Sequence, residues 1–500
     1  MSKTLEQFEQ YLDKMKKYEH INTLLYWDMR TCAPKLGQAG HIDALTYFST
    51  ESFAMSTSDE LYGMLETLKT PEEFAQLSDT MKFIVTRMQR DMEKDRRIPK
   101  DRYEVMVREQ AESGNAWEDA KNASDFSIFA PHLEKMVALT KEMAGYTDPG
   151  KEVYDVLLDK YEEGMDSATI DRLFGELKEA LIPLVKKILA AKQPDDTKFH
   201  VYFDPDDQRK VQDLLLSYIG FSKDAGAVGE TEHPFTLNFS SKDVRVTNHY
   251  YEHDPISAMF SAIHEGGHAI FEQNVNPEYD NTAAGSCRYM GVHESQSRFY
   301  ENILGRNKNF WIPVYEKVQE LMPQMKDISL DEFYREINHV RNSLIRTEAD
   351  EVTYCFHIIL RYEMEKAIFR DNVPVEKLPE LWNQKMKEYL GITPANDAEG
   401  ILQDMHWSDG SFGYFPSYLL GSIYDGMYLE ELEKELGPVD EILKEGRIKE
   451  ITKWLNEKIH WYGSTRTPKE VIANVCGKEV SAEPLERYFE KKYASVYDLK

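Results

Sequence analysis

Residues 255–273 read PISAMFSAIHEGGHAIFEQ. Asp254 and Pro255 make a helix start, with Asp suited to the N-cap and Pro to the first helical position. Apolar residues follow at helical spacing: Ile256, Met259, Phe260, Ile263, Ile270. The stretch therefore predicts an apolar helix carrying His264-Glu265-Gly266-Gly267-His268, an H-E-x-x-H. Positions i and i+4 share a face, so both imidazoles reach one ion. Glu265 lies about 100° round the helix, beside that face, where it can hold a metal-bound water. A solvated pair of helical histidines is the plain alternative. The apolar flanks weigh against it, because these polar groups are costly to bury unless paired or ligated. Adjacent glycines inside a helix cost about 1 kcal/mol each relative to Ala. Something is expected to pass close to the backbone there, a neighbouring helix or a substrate.

The same three-and-four spacing extends over most of the chain. QFEQYLDKMKKYEHINTLLYW, SATIDRLFGELKEALIPLVKKILAA and DEILKEGRIKEITKWLNEKIHWYG all show it. Strand signal is concentrated just ahead of the H-E-x-x-H helix, in Phe235–Phe239 and Asp243–Thr247, which predict a small antiparallel sheet. No repeat, low-complexity stretch or Gly/Ser linker divides the chain. We expect a mainly α protein with one catalytic body over 1–500: a mainly helical part at 1–232, the site motifs at 233–421 and C-terminal helices at 422–500.

The chain has 500 residues, with 88 Asp+Glu against 60 Lys+Arg and a net charge of −28. That balance argues against nucleic acid as a partner, since phosphates would be repelled. The four cysteines (Cys32, Cys287, Cys355, Cys476) form no CxxC pair, which disfavours a disulfide scaffold and suits a reducing cytoplasm. MSKTLEQFEQYLDKMKK lacks an apolar h-region, so no signal peptide is expected. No run approaches the roughly 18 apolar residues of a membrane span, so no membrane is expected.

Zinc takes imidazole nitrogen readily, and three protein ligands leave a catalytic position open. Candidates for the third ligand are Glu272, Glu278, Asp280, Cys287, His293, Glu294 and Glu301. Glu272, four residues past His268 on the same helix, would have to double back, and a salt bridge is expected of it. Glu294 opens HESQSRFYENILG, which reads as a second helix able to face the first, and it is the favoured ligand.

Further motifs bring a resemblance. They are His233-Pro234-Phe235, Asp243-Val244-Arg245-Val246-Thr247, HEGGH at 264–268, His293-Glu294-Ser295-Gln296, Ile345-Arg346-Thr347-Glu348-Ala349-Asp350 and the 400–407 stretch GILQDMHW. In this order the chain resembles the carboxypeptidase Taq family of metallocarboxypeptidases, nearly end to end. The resemblance implies His264, His268 and Glu294 as metal ligands and Glu265 as general base. It implies an almost wholly helical fold with a deep groove and a small sheet beside the metal helix, and a homodimer. It also implies removal of single residues from peptide C-termini with broad tolerance, with zinc as the metal and cobalt able to substitute. Gly266 stands where the family commonly has a larger residue, which implies a wider floor near the metal.

Other roles follow from the chemistry. A tetrahedral oxyanion needs a second donor, and His406 and Tyr418 are the candidates, each with a satisfied core side chain as its alternative. A free C-terminal carboxylate, the mark of the expected peptide substrates, is matched by the planar fork of Arg. Arg346 is the candidate, read in an apolar helical stretch, with a helix ion pair to Asp350 as the alternative. Arg245 faces opposite to Val244 and Val246, towards either substrate or solvent. His233 is read as a substrate contact and Arg298 as support for Glu294. His249 and His253 are read as structural. An exposed edge strand would bind peptide backbone without reading side chains. A metal-dependent endo-oligopeptidase is the alternative enzyme, and a catalytically idle peptide binder the alternative outside enzymes.

Overall fold

The computed structural model describes residues 2–285 and 288–499. Helices dominate, and the described residues form one three-stranded sheet. Helix α1 (Lys3–Thr31) starts at Ser2, whose side chain accepts from the Leu5 N–H at 3.3 Å. Phe8 and Leu12, one turn apart, are buried in a small apolar cluster with Leu61, Leu65, Ile84 and Val85. A far larger cluster draws on residues from Ala120 to Tyr497. The expected helix over Ser167–Ala190 forms, capped by Asp166, and buries Ile170, Leu173, Phe174, Leu177 and Leu181 along one stripe. The stretch from Asp440 departs from expectation. It splits into Val439–Lys444 and Ile448–Lys458 because Gly446 takes a φ of +71°, a turn that glycine makes without steric cost. No helix among the described residues is long and apolar enough to cross a membrane.

The sheet contains β1 (Gly226–Glu230), β2 (Thr236–Ser240) and β3 (Asp243–Asn248), in the order β1-β3-β2. The two expected strands pair antiparallel, with Thr236 opposite Val246 and Asn238 opposite Val244. The sheet is nonetheless mixed, because β1 joins β3 in parallel. GAVGE carries little strand signal, and its glycines are there for clearance. A Cβ at Gly226 would lie 2.5 Å from the Val244 carbonyl oxygen, and one at Gly229 would lie 3.0 Å from the Trp27 ring. Val244 and Val246 are buried, and the strand period places Thr236 and Asn238 on their face.

Six further helices position the site: α2 (Val153–Tyr161), α3 (Pro205–Ile219), α4 (Pro255–Gln273), α5 (Met290–Arg298), α6 (Thr353–Phe369) and α7 (Phe415–Leu436). Asp254 caps α4 as expected, accepting from Ser257 N–H at 3.1 Å. Beyond α5 the chain continues as a π-helical turn over Phe299–Gly305, a rare form found mostly at functional sites. The two glycines of α4 face different neighbours. A Cβ on Gly266 would meet Ile219 Cδ1 of α3 at 2.5 Å, and one on Gly267 would meet the Gln296 carbonyl oxygen of α5 at 2.7 Å. What passes close to the backbone is thus a helix on each side. The wider floor implied for Gly266 is corrected: this residue is filled against α3.

Candidate metal centre

His264 and His268 stand one turn apart on α4, with ring centroids 5.1 Å apart. The Gly267 contact draws α5 close enough for Glu294 to oppose them. Glu294 Oε2 lies 3.4 Å from His268 Nε2 and 3.9 Å from His264 Nε2. One ligand atom from each residue lies within 4.8 Å of the others, so these three could hold a metal ion. The donor chemistry fits a cation. Two imidazole nitrogens and a carboxylate oxygen converge at separations long for hydrogen bonds. Tetrahedral donors about 2.0–2.2 Å from a shared ion stand about 3.3–3.6 Å apart.

Neighbouring side chains fix each of the three. Glu301, carried by the π-helical turn, bonds His264 Nδ1 at 2.8 Å, and Arg306 donates to it in turn at 3.1 Å. Such a bond sets a histidine's tautomer and leaves its other nitrogen free to ligate. Arg298 Nε donates to Glu294 Oε1 at 2.7 Å, which is the expected support. His268 stacks on His293 at 4.4 Å, and His293 bonds Glu272 at 2.9 Å. Glu272 also accepts from Asn238 of β2, so His293 and Asn238 engage both its oxygens and it is turned from the group. Asp280 is spent on Ser241, accepting at 2.7 and 2.9 Å. Cys287 lies outside the described residues.

Burial and neighbouring charges shift each of the three groups. Burial pulls the His264 ring down, but its bond to Glu301 and the charges of Glu294, Glu301 and Glu265 push it up to about 9. Burial, helped by His293 and His264, pushes His268 down to about 3. Burial works against ionised Glu294, yet Arg298, His268 and His264 hold it well below the usual carboxylate range.

Glu265 is buried beside this group, and Thr236 Oγ1 of β2 donates to its Oε2 at 2.6 Å. Burial pushes its carboxyl upward, against the pull of His264 and the Thr236 bond. Sequence reasoning missed Thr236, since only the β2–β3 register reveals which face of the strand meets α4.

A second polar group is built from α6, α7 and the loop between 400 and 414. His406 Nε2 lies 3.4 Å from Tyr418 Oη, and its ring rests 4.4 Å from that of Phe415. Burial pushes His406 down to about 4. Tyr418 stacks edge-on with Tyr414, and the Arg346 guanidinium lies 5.1 Å over the Tyr418 ring. Arg346 departs from its reading as a helical residue, for it sits in a short 3-10 turn, Arg346–Glu348. Its partner is Asp404 at 2.9 Å rather than Asp350, and Nη1 donates to Tyr354 Oη at 3.1 Å. Asp350 instead accepts from the N–H groups of Val352 and Thr353 at 3.0 Å each. Burial would raise the Asp404 carboxyl, but Arg361 and Arg346 hold it well below the usual range. Tyr354 links the two groups, because the Arg298 guanidinium lies 4.1 Å over its ring.

His233 is exposed between β1 and β2, three residues before Thr236. The structure does not bring Arg245 to either group. Its face of β3 is opposite to that of Val244 and Val246. Asp243 takes two of its donors at 2.9 and 2.8 Å, and its guanidinium lies 4.2 Å over Phe239. His249 bonds the Thr231 carbonyl at 3.2 Å and His253 rests edge-on against Tyr202, both consistent with structural roles.

A helix-borne histidine pair facing a glutamate from a second helix, in a chain that is mostly helix, defines the class as a helical metallopeptidase. The chain belongs to the carboxypeptidase Taq (M32) metallopeptidase family, whose model matches residues 7–493. It is therefore a metal-dependent hydrolase acting at peptide C-termini. It is similar to Carboxypeptidase 1 of Bacillus subtilis, with 43% identity over 494 residues covering 98% of each chain. Thermostable carboxypeptidase 1 of Thermus thermophilus is 36% identical over 488 residues, covering 95% of this chain and 96% of the relative. Among solved structures, the M32 carboxypeptidase of Deinococcus radiodurans superposes with a TM-score of 0.96 at 29% identity, covering 99% of this chain and 100% of that one.

Proposed function

We propose that the chain is a zinc carboxypeptidase that releases single C-terminal residues with broad side-chain tolerance. His264, His268 and Glu294 hold the ion, with cobalt able to replace zinc, and Glu265 acts as the general base. The convergence of three donor atoms beside a buried glutamate carries this reading. When bound, the ion supplies Lewis acidity, polarising the scissile carbonyl and acidifying water.

The chain's own residues do the rest. Thr236 aims Glu265, which takes the proton of the attacking water and delivers it to the leaving amine. His406, neutral after its downward shift, and Tyr418 donate hydrogen bonds to the developing oxyanion. Arg346 is held by Asp404 and Tyr354, and its Nη2 has no hydrogen bond among the described residues. That nitrogen is read as meeting the substrate's terminal carboxylate. β2 is an edge of the sheet and touches Glu265 through Thr236, so it suits pairing with a peptide backbone. His233, just ahead of it, is kept as a substrate contact. Arg245 is set aside, because Asp243 holds two of its donors and its guanidinium rests over Phe239, away from both groups.

The scattered cysteines support a cytoplasmic location, and the resemblance supports a homodimer, which sedimentation would report as twice the chain mass. The main test is a peptide ladder read by mass, with and without C-terminal amidation. Stepwise loss of single residues, abolished by amidation, is expected. Internal cleavage that survives amidation would replace this reading with an endo-oligopeptidase, and no cleavage at all with a peptide binder.

A further inference from the structure

Glu162, just past α2, is fully buried. Its Oε1 accepts the backbone N–H of Gly291, in the first turn of α5 and 129 residues away. Its Oε2 accepts from Tyr424 Oη of α7 at 3.3 Å. The first N–H groups of a helix need acceptors from outside it, and that end favours negative charge. The cap is therefore supplied from a distant part of the chain. A Cβ at residue 291 would come 2.6 Å from Glu162 Oε1, which explains the glycine there. Glu163, next in sequence, accepts from Arg87, Arg90 and, at 3.2 Å, Tyr289 Oη. Two adjacent acids thus hold the start of α5. One turn further on, α5 lies hard against α7, where a Cβ on Gly421 would reach Ser295 N at 3.0 Å.

We propose that Glu162 is a positioning residue of the metal centre: by capping α5 it fixes where Glu294 stands against His264 and His268. The inference rests on the reading of Glu294 as a ligand. Glu162 touches none of the three donors and acts only through the helix that carries one of them. A suitable control is Glu365, another fully buried carboxylate. It holds Tyr154 Oη, Trp407 Nε1 and Gly413 N–H, and among the described residues it makes no hydrogen bond to α5.

The test is the zinc affinity of the full chain, measured by chelator competition on variants that remain folded by circular dichroism. Glu162→Leu is expected to weaken zinc binding by about 10–100-fold, as loss of outer support for a ligand does. Glu162→Gln keeps an oxygen for the Gly291 N–H and is expected to restore most of the affinity. Glu365→Leu is expected to leave it unchanged. Gly291→Ala displaces the same carboxylate from the other side, so it serves if Glu162→Leu does not fold. Parental affinity in the Glu162→Leu and Gly291→Ala variants would overturn the inference, as would an equal loss in Glu365→Leu. Stoichiometric zinc in Glu294→Ala would instead unseat the ligand reading itself.

Discussion

Replacing Gly267 by alanine puts a methyl group where α4 meets the backbone of α5. Its carbon would lie 2.7 Å from the Gln296 carbonyl oxygen and 2.8 Å from Ser297 Cα. Ordinary contacts of this kind are about 3.5 Å, so α5 must withdraw by nearly 1 Å. Neither neighbour is a side chain that could rotate away. Glu294 rides on α5, and its oxygen now stands 3.4 Å from His268 Nε2. A displacement of that size loosens the ligand set, for which about 10–100-fold in zinc affinity is expected. Overpacking costs about 1–3 kcal/mol, offset by about 1 kcal/mol of helix propensity. The net loss of global stability is therefore about 0–2 kcal/mol, against about 1.4–2.7 kcal/mol for a 10–100-fold loss of zinc affinity. Gly266→Ala is the matched comparison. Its methyl would meet Ile219 Cδ1 at 2.5 Å and Leu216 Cδ2 at 2.9 Å, both ends of flexible side chains on α3. It should shift urea stability by a similar amount and leave zinc affinity untouched. Chelator competition and urea unfolding on both variants decide the matter. Parental zinc affinity in Gly267→Ala, or an equal loss in Gly266→Ala, refutes the reasoning.

Glu265→Gln should keep stoichiometric zinc and lose about 10²–10⁴-fold in kcat, as removal of a general base does; substantial residual turnover would exclude that role. Arg346→Ala should raise KM for free-carboxylate peptides far more than it lowers kcat, and unchanged kinetics would remove Arg346 from substrate capture. Burial pushes Glu365 up to about 7 from an ordinary 4.5, so between these pH values the folded state holds a proton that the unfolded chain has lost. Stability should therefore fall as pH rises through that window, by up to about 3 kcal/mol from this residue. Glu365→Gln should flatten that slope in urea titrations run from pH 4.5 to 8, and an unchanged slope would contradict the assignment.

The α4 helix, its cap and its paired histidines were legible from spacing alone, because i,i+4 geometry is local. Glu294 was favoured among seven candidates, but its approach to the histidines rests on the close packing of α5 at Gly267, which nothing local in the sequence reveals. Glu301 was among those candidates, seven residues after Glu294, but its part as the partner of His264 depends on the π-helical turn. Arg346 was placed on a helix by its apolar neighbours, and tertiary ion pairing with Asp404 overrode that local signal. The Asp404 signal was present two residues before His406, yet nothing local links it to Arg346. β1 escaped notice because its glycines serve close approach rather than strand propensity.

Arg298 has a consequence for the life of the empty protein. It is buried and bonded to Glu294 Oε1. On the proposed reading of Glu294 as a ligand, removing the ion would ordinarily leave an uncompensated buried charge, which costs about 3–5 kcal/mol. Here a resident guanidinium already answers that charge, and Glu301 does the same for His264. Demetallation should therefore leave the two helices standing in register. The protein could then be emptied and refilled repeatedly by dialysis, exchanging one ion for another without passing through an unfolded state.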